Sequence, residues 1–167
     1  MSRYLRLRRG GAVSFFTVNL EDPSLDLLTR HARGLGVAVR TVRDTHPFTV
    51  HAWVLMPNHL HCVLELPPAD DDFGVRWRLI KSVFSRSLPM DEARSPSRAN
   101  RGERGIWQRR YWEHRIENPQ NLRAHIDYVH INPIKHGYVT RLADWPWSTF
   151  HRYVAQGLYP PDWAGPP

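Results

Sequence analysis

The chain has 167 residues, a length that favours a single domain with a core of its own. Its only cysteine, Cys62, excludes an internal disulfide framework and any zinc site built from cysteines alone. No apolar run approaches the roughly 18–20 residues of a membrane helix, and the N-terminus lacks the apolar segment of a signal peptide. These absences lead us to expect a cytoplasmic protein with no membrane partner.

The net charge indicates a polyanionic partner. Lys and Arg together number 23 against 16 Asp and Glu, which gives a formal net charge of +7. A basic domain of this size most often binds nucleic acid. All cations except Lys81 and Lys135 are arginines, whose planar guanidinium groups bind phosphate in bidentate fashion and stack on bases. A GC-rich genome is an alternative explanation for the arginine excess.

A strand and a helix are predicted at the start of the chain. The first ten residues contain a basic arm of four arginines. Residues 12–19 are β-branched and aromatic, which is typical of a strand. Asp22-Pro23 then predicts a helix start, because proline is favoured in the first turn, and apolar residues continue at helical spacing to Val39.

Two strands and a second helix follow. Residues 48–55 and 59–66 have the composition of strands, and the short link Met56-Pro57-Asn58 favours an antiparallel hairpin. Residues 73–88 predict a helix with several basic side chains. The segment 89–105 is rich in Ser, Arg, Pro and Gly, so we expect a mobile loop there.

The last predicted elements are a strand over residues 106–116 and a helix that begins at Asn118-Pro119. Pro133 predicts that this helix ends near Asn132, because a residue before proline disfavours helical geometry. The order of elements is that of an α+β, ferredoxin-like antiparallel sheet with helices packed on one face. We expect one domain over residues 1–143, and a Trp- and Pro-rich tail over residues 144–167 packed on it.

Two histidines two residues apart are candidate metal ligands. Side chains alternate along a strand, so His59 and His61 project from one face while Leu60 and Cys62 point to the other, into a core. Two imidazoles on one face can hold a metal ion. In a chain with ten histidines, a pair of surface or structural histidines remains the commoner explanation of this spacing.

The late helix carries a second candidate pair. Tyr128 and Asn132 are four residues apart, so they lie on one helix face. An Asn side-chain oxygen is a suitable ligand for Mg²⁺ or Mn²⁺. A tyrosine phenol is a nucleophile once it is deprotonated or lies beside a cation. Taken alone, the tyrosine is more often a packing residue of an amphipathic helix.

Four separated stretches, taken together, resemble one family. Met56 to His61 is similar to the HUH motif (His, hydrophobic, His) of single-tyrosine transposases, and Tyr128 to Val139 is similar to their nucleophile helix and its exit. Residues 77–86 and 105–114 resemble further motifs of the group. The resemblance is to the REP-associated tyrosine transposases, and it extends from Gly10 to about Tyr153.

The resemblance implies a metal-dependent single-stranded DNA endonuclease and strand transferase. It would act on hairpin DNA of repeated extragenic palindromes through a 5′-phosphotyrosine intermediate, as a step of DNA transposition. The implied nucleophile is Tyr128, and the implied ligands of Mg²⁺ or Mn²⁺ are His59, His61 and Asn132, with no small-molecule cofactor. Related transposases often have Gln where this chain has Asn132, which leaves open whether the shorter side chain ligates directly or through water.

Basic and aromatic residues are the candidate DNA contacts. Trp107, Tyr111 and Trp112 alternate with Arg109 and Arg110, a mixture that suits a stacking platform for unpaired bases. The alternative is that the tryptophans pack in the core while the arginines face water. The complete set of predicted DNA-binding residues is Arg3, Arg6, Arg8, Arg9, Arg76, Arg78, Lys81, Trp107, Arg109 and Arg110.

Two other functions remain open from the sequence. The same fold can bind hairpin DNA without cutting it, as a regulator, or act as a metal phosphoesterase that uses water as the nucleophile. The resemblance is compatible with a monomer or a homodimer, and with a cytoplasmic, nucleoid-associated protein.

Overall fold

The sheet has four strands and follows the predicted ferredoxin-like order. In the computed structural model, which describes residues 11–166, the strands are β1 (Val13–Asn19), β2 (Thr49–Leu55), β3 (His59–Glu65) and β4 (Trp112–Arg115). They lie in the order β2-β3-β1-β4 and every neighbouring pair is antiparallel. The predicted α+β fold and the hairpin between β2 and β3 are confirmed.

Helices cover both faces of the sheet rather than one. The helices of the described residues are α1 (Leu27–Arg30), α2 (Ala32–Thr45), α3 (Phe73–Arg86), α4 (Pro96–Asn100), α5 (Pro119–Lys135) and α6 (Phe150–Ala155), with a 3₁₀ turn at Leu142–Asp144. Helices α2 and α3 pack on one face of the sheet, and α5 and α6 pack on the other. None of these helices is long and apolar enough to cross a membrane.

The two faces follow from the alternation of side chains along the central strands. Leu60, Cys62 and Leu64 of β3 enter the core under α2 and α3, as the sequence predicts. Phe15 of β1 and Val63 of β3 enter a second core under α5. Because these strands are apolar on both faces, each face buries its own helical layer.

Two element boundaries differ from the predictions. The first helix begins at Leu27 rather than at Asp22-Pro23, because the Asp22 side chain accepts hydrogen bonds from the backbone and hydroxyl of Ser24 and forms a turn instead. The predicted strand over residues 106–116 is reduced to β4. Its first part is held by an isolated bridge between Leu20 and Trp107, with both Ile106 and Trp107 buried against the α3 side of the sheet.

Helix α5 continues three residues beyond the predicted end. Pro133 lies inside its last turn, and the helix ends at Lys135 with His136 as its C-cap. Gly137 then adopts a positive φ of 75°, and the backbone N–H of Tyr138 donates to the carbonyl of Pro133. Near a helix end a proline removes one hydrogen bond without stopping the last turn. This extension places His136 on the site described below.

The loop and the tail are both tied to the body. The segment after α3 contains α4, and the Arg104 guanidinium binds the Glu92 carboxylate and the carbonyls of Leu88 and Pro89. In the tail, Trp145 and Phe150 are buried in the core under α5. Its aromatic residues are therefore part of the second core.

Candidate active site

Three histidines converge on the α5 face of the sheet. His59 and His61 project from β3, and His136 follows the end of α5. One ring nitrogen from each lies within 4.8 Å of those of the other two. His61 is buried, His59 is partly buried and His136 is exposed, so the cluster opens to solvent on one side. A group of this kind can hold a divalent cation.

The sequence predictions did not include His136. The spacing could have indicated it, because His136 lies four residues after Asn132 and eight after Tyr128. In a helix that continues so far, all three side chains lie on one face. Because the helix was predicted to end at Asn132, His136 was not assigned to its face. The structure shows that the helix continues through Pro133 and carries the imidazole to the pair on β3.

Burial keeps the imidazoles of His59 and His61 neutral. Desolvation lowers the pKa of His61 to about 3, with His59, His136 and Lys135 as further, smaller causes. Desolvation also lowers the pKa of His59 to about 4, and His136 adds to this effect. Both rings are therefore unprotonated at neutral pH, which is the form that ligates metals.

Neighbouring side chains orient both rings on β3. The Asn58 amide nitrogen donates to the carbonyl of Pro23, so its oxygen faces Nδ1 of His59 at 2.6 Å. Nδ1 of His59 is therefore the donor, and its Nε2 keeps a free lone pair. Nδ1 of His61 lies 2.8 Å from the Thr17 hydroxyl. Such outer hydrogen bonds are typical of histidines that bind metals.

Tyr128 lies beside this cluster and is accessible. Its ring centroid is 5.5 Å from that of His61 and 5.7 Å from that of Phe15, and 36% of the residue is exposed. The Lys135 ammonium lies 4.6 Å from the centroid of the same ring. This is a cation–π contact, which holds the ring next to the histidine cluster.

Asn132 is fully buried one turn after Tyr128. Its amide nitrogen donates to the Tyr128 carbonyl at 2.5 Å. Its side-chain oxygen is buried and has no hydrogen-bond partner among the described residues. A buried carbonyl oxygen left unpaired costs free energy, so it is a suitable group to meet a cation. His136 is the residue that lies with His59 and His61 in the described cluster, and the ligand role of Asn132 stays a prediction.

Several predicted DNA contacts line one groove on the opposite side of the sheet. The groove has a volume of about 820 Å³ and lies between α3 and the segment before β4. It is lined by Arg78, Lys81, Trp107 and Arg109, and Arg110 is exposed next in the chain. The Lys81 ammonium donates to the carbonyl of Gln108.

Two predicted contacts are buried: Arg76, which the sequence places at the DNA, and Trp107, for which the sequence leaves core packing open. Arg76 is 4% exposed, and its guanidinium binds the Asp70 carboxylate at 2.8 Å and the carbonyls of Pro47 and Asp72. This environment argues against a phosphate contact. Trp107 is buried against Phe84 and forms the floor of the groove. The arm residues Arg3, Arg6, Arg8 and Arg9 lie outside the described residues.

Known proteins match the chain over almost its whole length. A REP-associated tyrosine transposase of Escherichia coli (strain K12) is 47% identical over 165 residues, which cover 99% of this chain and 92% of that protein. This chain belongs to the REP-associated tyrosine transposases. A relative from Haemophilus influenzae is 39% identical over 168 residues, which cover all of this chain and 96% of the relative. No family model matches the chain.

The family fold is also found among solved structures. A REP-associated tyrosine transposase bound to a REP hairpin superposes with a TM-score of 0.82 and 46% identity, covering 99% of this chain and 93% of that one. The resemblance seen in the sequence motifs is therefore confirmed for the family and for the fold.

Proposed function

We propose that this REP-associated tyrosine transposase cuts and rejoins single-stranded DNA at REP-type hairpins, with Tyr128 as the nucleophile. The observation that carries the proposal is the position of the Tyr128 ring, 5.5 Å from the ring of His61 and beside the three-histidine cluster. The relative bound to a REP hairpin supports this DNA as the substrate. We propose that Tyr128 and the three histidines of one chain act together, and the oligomeric state stays a prediction of a monomer or a homodimer.

In the proposed cleavage, the Tyr128 phenol loses its proton and its oxygen attacks the scissile phosphorus. The bond from phosphorus to the 3′-oxygen breaks, and that oxygen takes up a proton to become a 3′-hydroxyl. The other DNA end stays on the protein as a 5′-phosphotyrosine. Attack by a second 3′-hydroxyl reverses these bond changes and joins two strands without an external energy source.

The residues around Tyr128 fit this role. The Lys135 ammonium, 4.6 Å from the ring centroid, holds the Tyr128 ring beside the histidine cluster by a cation–π contact. A divalent cation bound by His59 and His61, with His136 or Asn132 as a third ligand, would neutralise charge that develops on the non-bridging phosphate oxygens. The nitrogen-rich donor set favours Mn²⁺ over Mg²⁺, which prefers oxygen ligands.

A denaturing gel tests the proposed nucleophile. The wild-type protein, incubated with Mn²⁺ and an end-labelled oligonucleotide that contains a REP-type hairpin and unpaired flanks, should retain label in detergent. Tyr128→Phe should bind the oligonucleotide but retain no label. Tyr138→Phe is a matched control, because it removes the hydroxyl of another exposed tyrosine, and it should form the adduct.

The other outcomes separate the alternatives. Cut DNA without an adduct, in both the wild type and Tyr128→Phe, would favour a phosphoesterase that uses water. Binding without any cutting in the presence of Mn²⁺ or Mg²⁺ would favour a regulator that binds hairpin DNA.

A further inference from the structure

One large aromatic side chain at the edge of the sheet is exposed beside the candidate nucleophile. Trp112 is 65% exposed at the start of β4. It pairs with Thr17 of β1, which in turn pairs with His61 of β3, so it lies on the same face as the histidine cluster. An exposed tryptophan of this kind is typical of a binding surface.

Trp112 forms one wall of an open cleft that Tyr128 also lines. The cleft has a volume of about 490 Å³, and its remaining lining comes from Phe15, Thr17, Ala124 and His125. Among the described residues that line it there is no carboxylate. A cleft with flat aromatic walls and no negative charge suits a nucleobase attached to a phosphate backbone.

Tyr111, the residue before Trp112, connects this cleft to the groove between α3 and the segment before β4, called the basic groove below. Tyr111 lines the groove, where its ring centroid is 6.0 Å from that of Trp77 and the Lys81 ammonium is 5.6 Å from its ring. Trp112 lines the cleft on the other face. β4 is an edge strand of the described sheet, so a single DNA strand can pass around it without crossing the protein.

We propose that an unpaired base next to the scissile phosphate stacks on Trp112, and that the single strand crosses the β4 edge from the basic groove to Tyr128. The proposal rests on the proposed function, since it takes single-stranded DNA as the substrate. The exposed guanidinium of Arg78 and the ammonium of Lys81 support the strand's path, because both can contact phosphate. Arg109, by contrast, is paired with the Glu103 carboxylate.

A binding experiment in the Tyr128→Phe background tests this without cleavage. Two probes are used: a REP-type hairpin with unpaired flanks, and the same hairpin without flanks. Adding Trp112→Ala should weaken binding of the flanked probe by at least about fivefold, because one stacked base is lost. Binding of the hairpin alone should be unchanged. Trp112→Phe, which keeps a stacking surface, should restore most of the loss.

A fluorescent base locates the contact. The fluorescent base 2-aminopurine is placed at successive flank positions. Stacking on Trp112 should quench its fluorescence at one of these positions, and Trp112→Ala should restore the fluorescence there. Val37→Ala is a control at an exposed residue of α2, on the other side of the sheet. It should change neither the affinity for either probe nor the fluorescence.

The contrary results separate the Trp112 proposal from the proposed function. Equal loss on both probes, or unchanged binding of the flanked probe, would overturn the Trp112 proposal alone. Failure of the Tyr128→Phe protein to bind either probe would instead overturn both proposals, because both take this DNA as the substrate. If the flank-specific loss is found but the wild-type protein forms no covalent adduct, only the proposed chemistry fails.

Discussion

The Thr17 hydroxyl lies 2.8 Å from Nδ1 of His61, at a position where β1 and β3 place the two residues directly opposite each other. This contact occupies one ring nitrogen of His61 and leaves the other for a ligand. The strand register therefore sets the orientation of an imidazole in the candidate metal site.

Removing this hydroxyl should weaken metal binding without unfolding the protein. Thr17→Val keeps the side-chain shape and the strand propensity, and we expect a loss of about 10- to 100-fold in Mn²⁺ affinity. Calorimetric titration with Mn²⁺ measures the affinity, and thermal unfolding checks the fold. Thr49→Val, the same substitution on β2, should bind Mn²⁺ like the wild type. Wild-type affinity in Thr17→Val would contradict a positioning role.

Replacing His136 tests which residue is the third ligand. If the three histidines act together, His136→Ala should lower Mn²⁺ affinity by about tenfold or more, as His59→Ala should. His46→Ala is the control, because it removes an imidazole outside the cluster. Full affinity in His136→Ala, together with a changed affinity in Asn132→Asp, would assign the third position to Asn132 alone.

DNA binding should depend on pH through Lys81. Burial lowers the pKa of its ammonium to about 8, and Arg98 adds to this effect. Glu103 and Tyr111 also line the groove, and burial raises the pKa of Tyr111, which stays neutral. Lys81 is charged below its pKa and neutral above it, so affinity for the flanked hairpin should fall as the pH rises through about 8.

Lys81→Arg is the matched variant, because a guanidinium stays charged throughout this range. Its binding curve should be flatter than that of the wild type when dissociation constants are measured from about pH 7 to about pH 9.5 at constant salt. Identical pH dependence in both proteins would show that Lys81 makes no charge-dependent contact with the DNA.

Acid stability should depend on the pair between Glu92 and Arg104. The hydrogen bonds from Arg104 lower the pKa of Glu92 from 4.5 to about 2 in the folded protein. A carboxyl with a lowered pKa stabilises the fold above its unfolded pKa, and this contribution is lost as the pH falls from about 4.5 to about 2. The melting temperature should therefore decrease over this window.

Glu92→Gln should have a lower melting temperature than the wild type near neutral pH. Its melting temperature should also decrease less than that of the wild type as the pH falls from about 4.5 to about 2. Asp91→Asn, the same change at the adjacent exposed residue, is the control and should follow the wild-type curve. Parallel acid curves for Glu92→Gln and the wild type would contradict the assignment.

Local patterns determined the elements that carry the candidate site. The alternation along β3 placed His59 and His61 on the face opposite Leu60 and Cys62, and Leu60 and Cys62 are indeed in the core under α2 and α3. The cap at Asn118-Pro119 marked the start of α5, where the Asn118 side-chain oxygen accepts a hydrogen bond from the backbone N–H of Asn121. These features depend on residues near each other in the chain, so the sequence alone predicts them. The nucleophilic role of Tyr128, the ligand roles of His59, His61 and Asn132, and the DNA contacts remain predictions.

Only the tertiary structure decided which residues meet. His136 joins the pair on β3 because α5 continues through Pro133 and crosses the sheet. Composition also did not distinguish Trp107 from Trp112, five residues apart, yet the first is 7% and the second 65% exposed. Exposure depends on whether another element covers a side chain: Trp107 packs against α3, whereas Trp112 stands at the uncovered edge of the sheet. Such contacts join distant parts of the chain, so no local pattern specifies them.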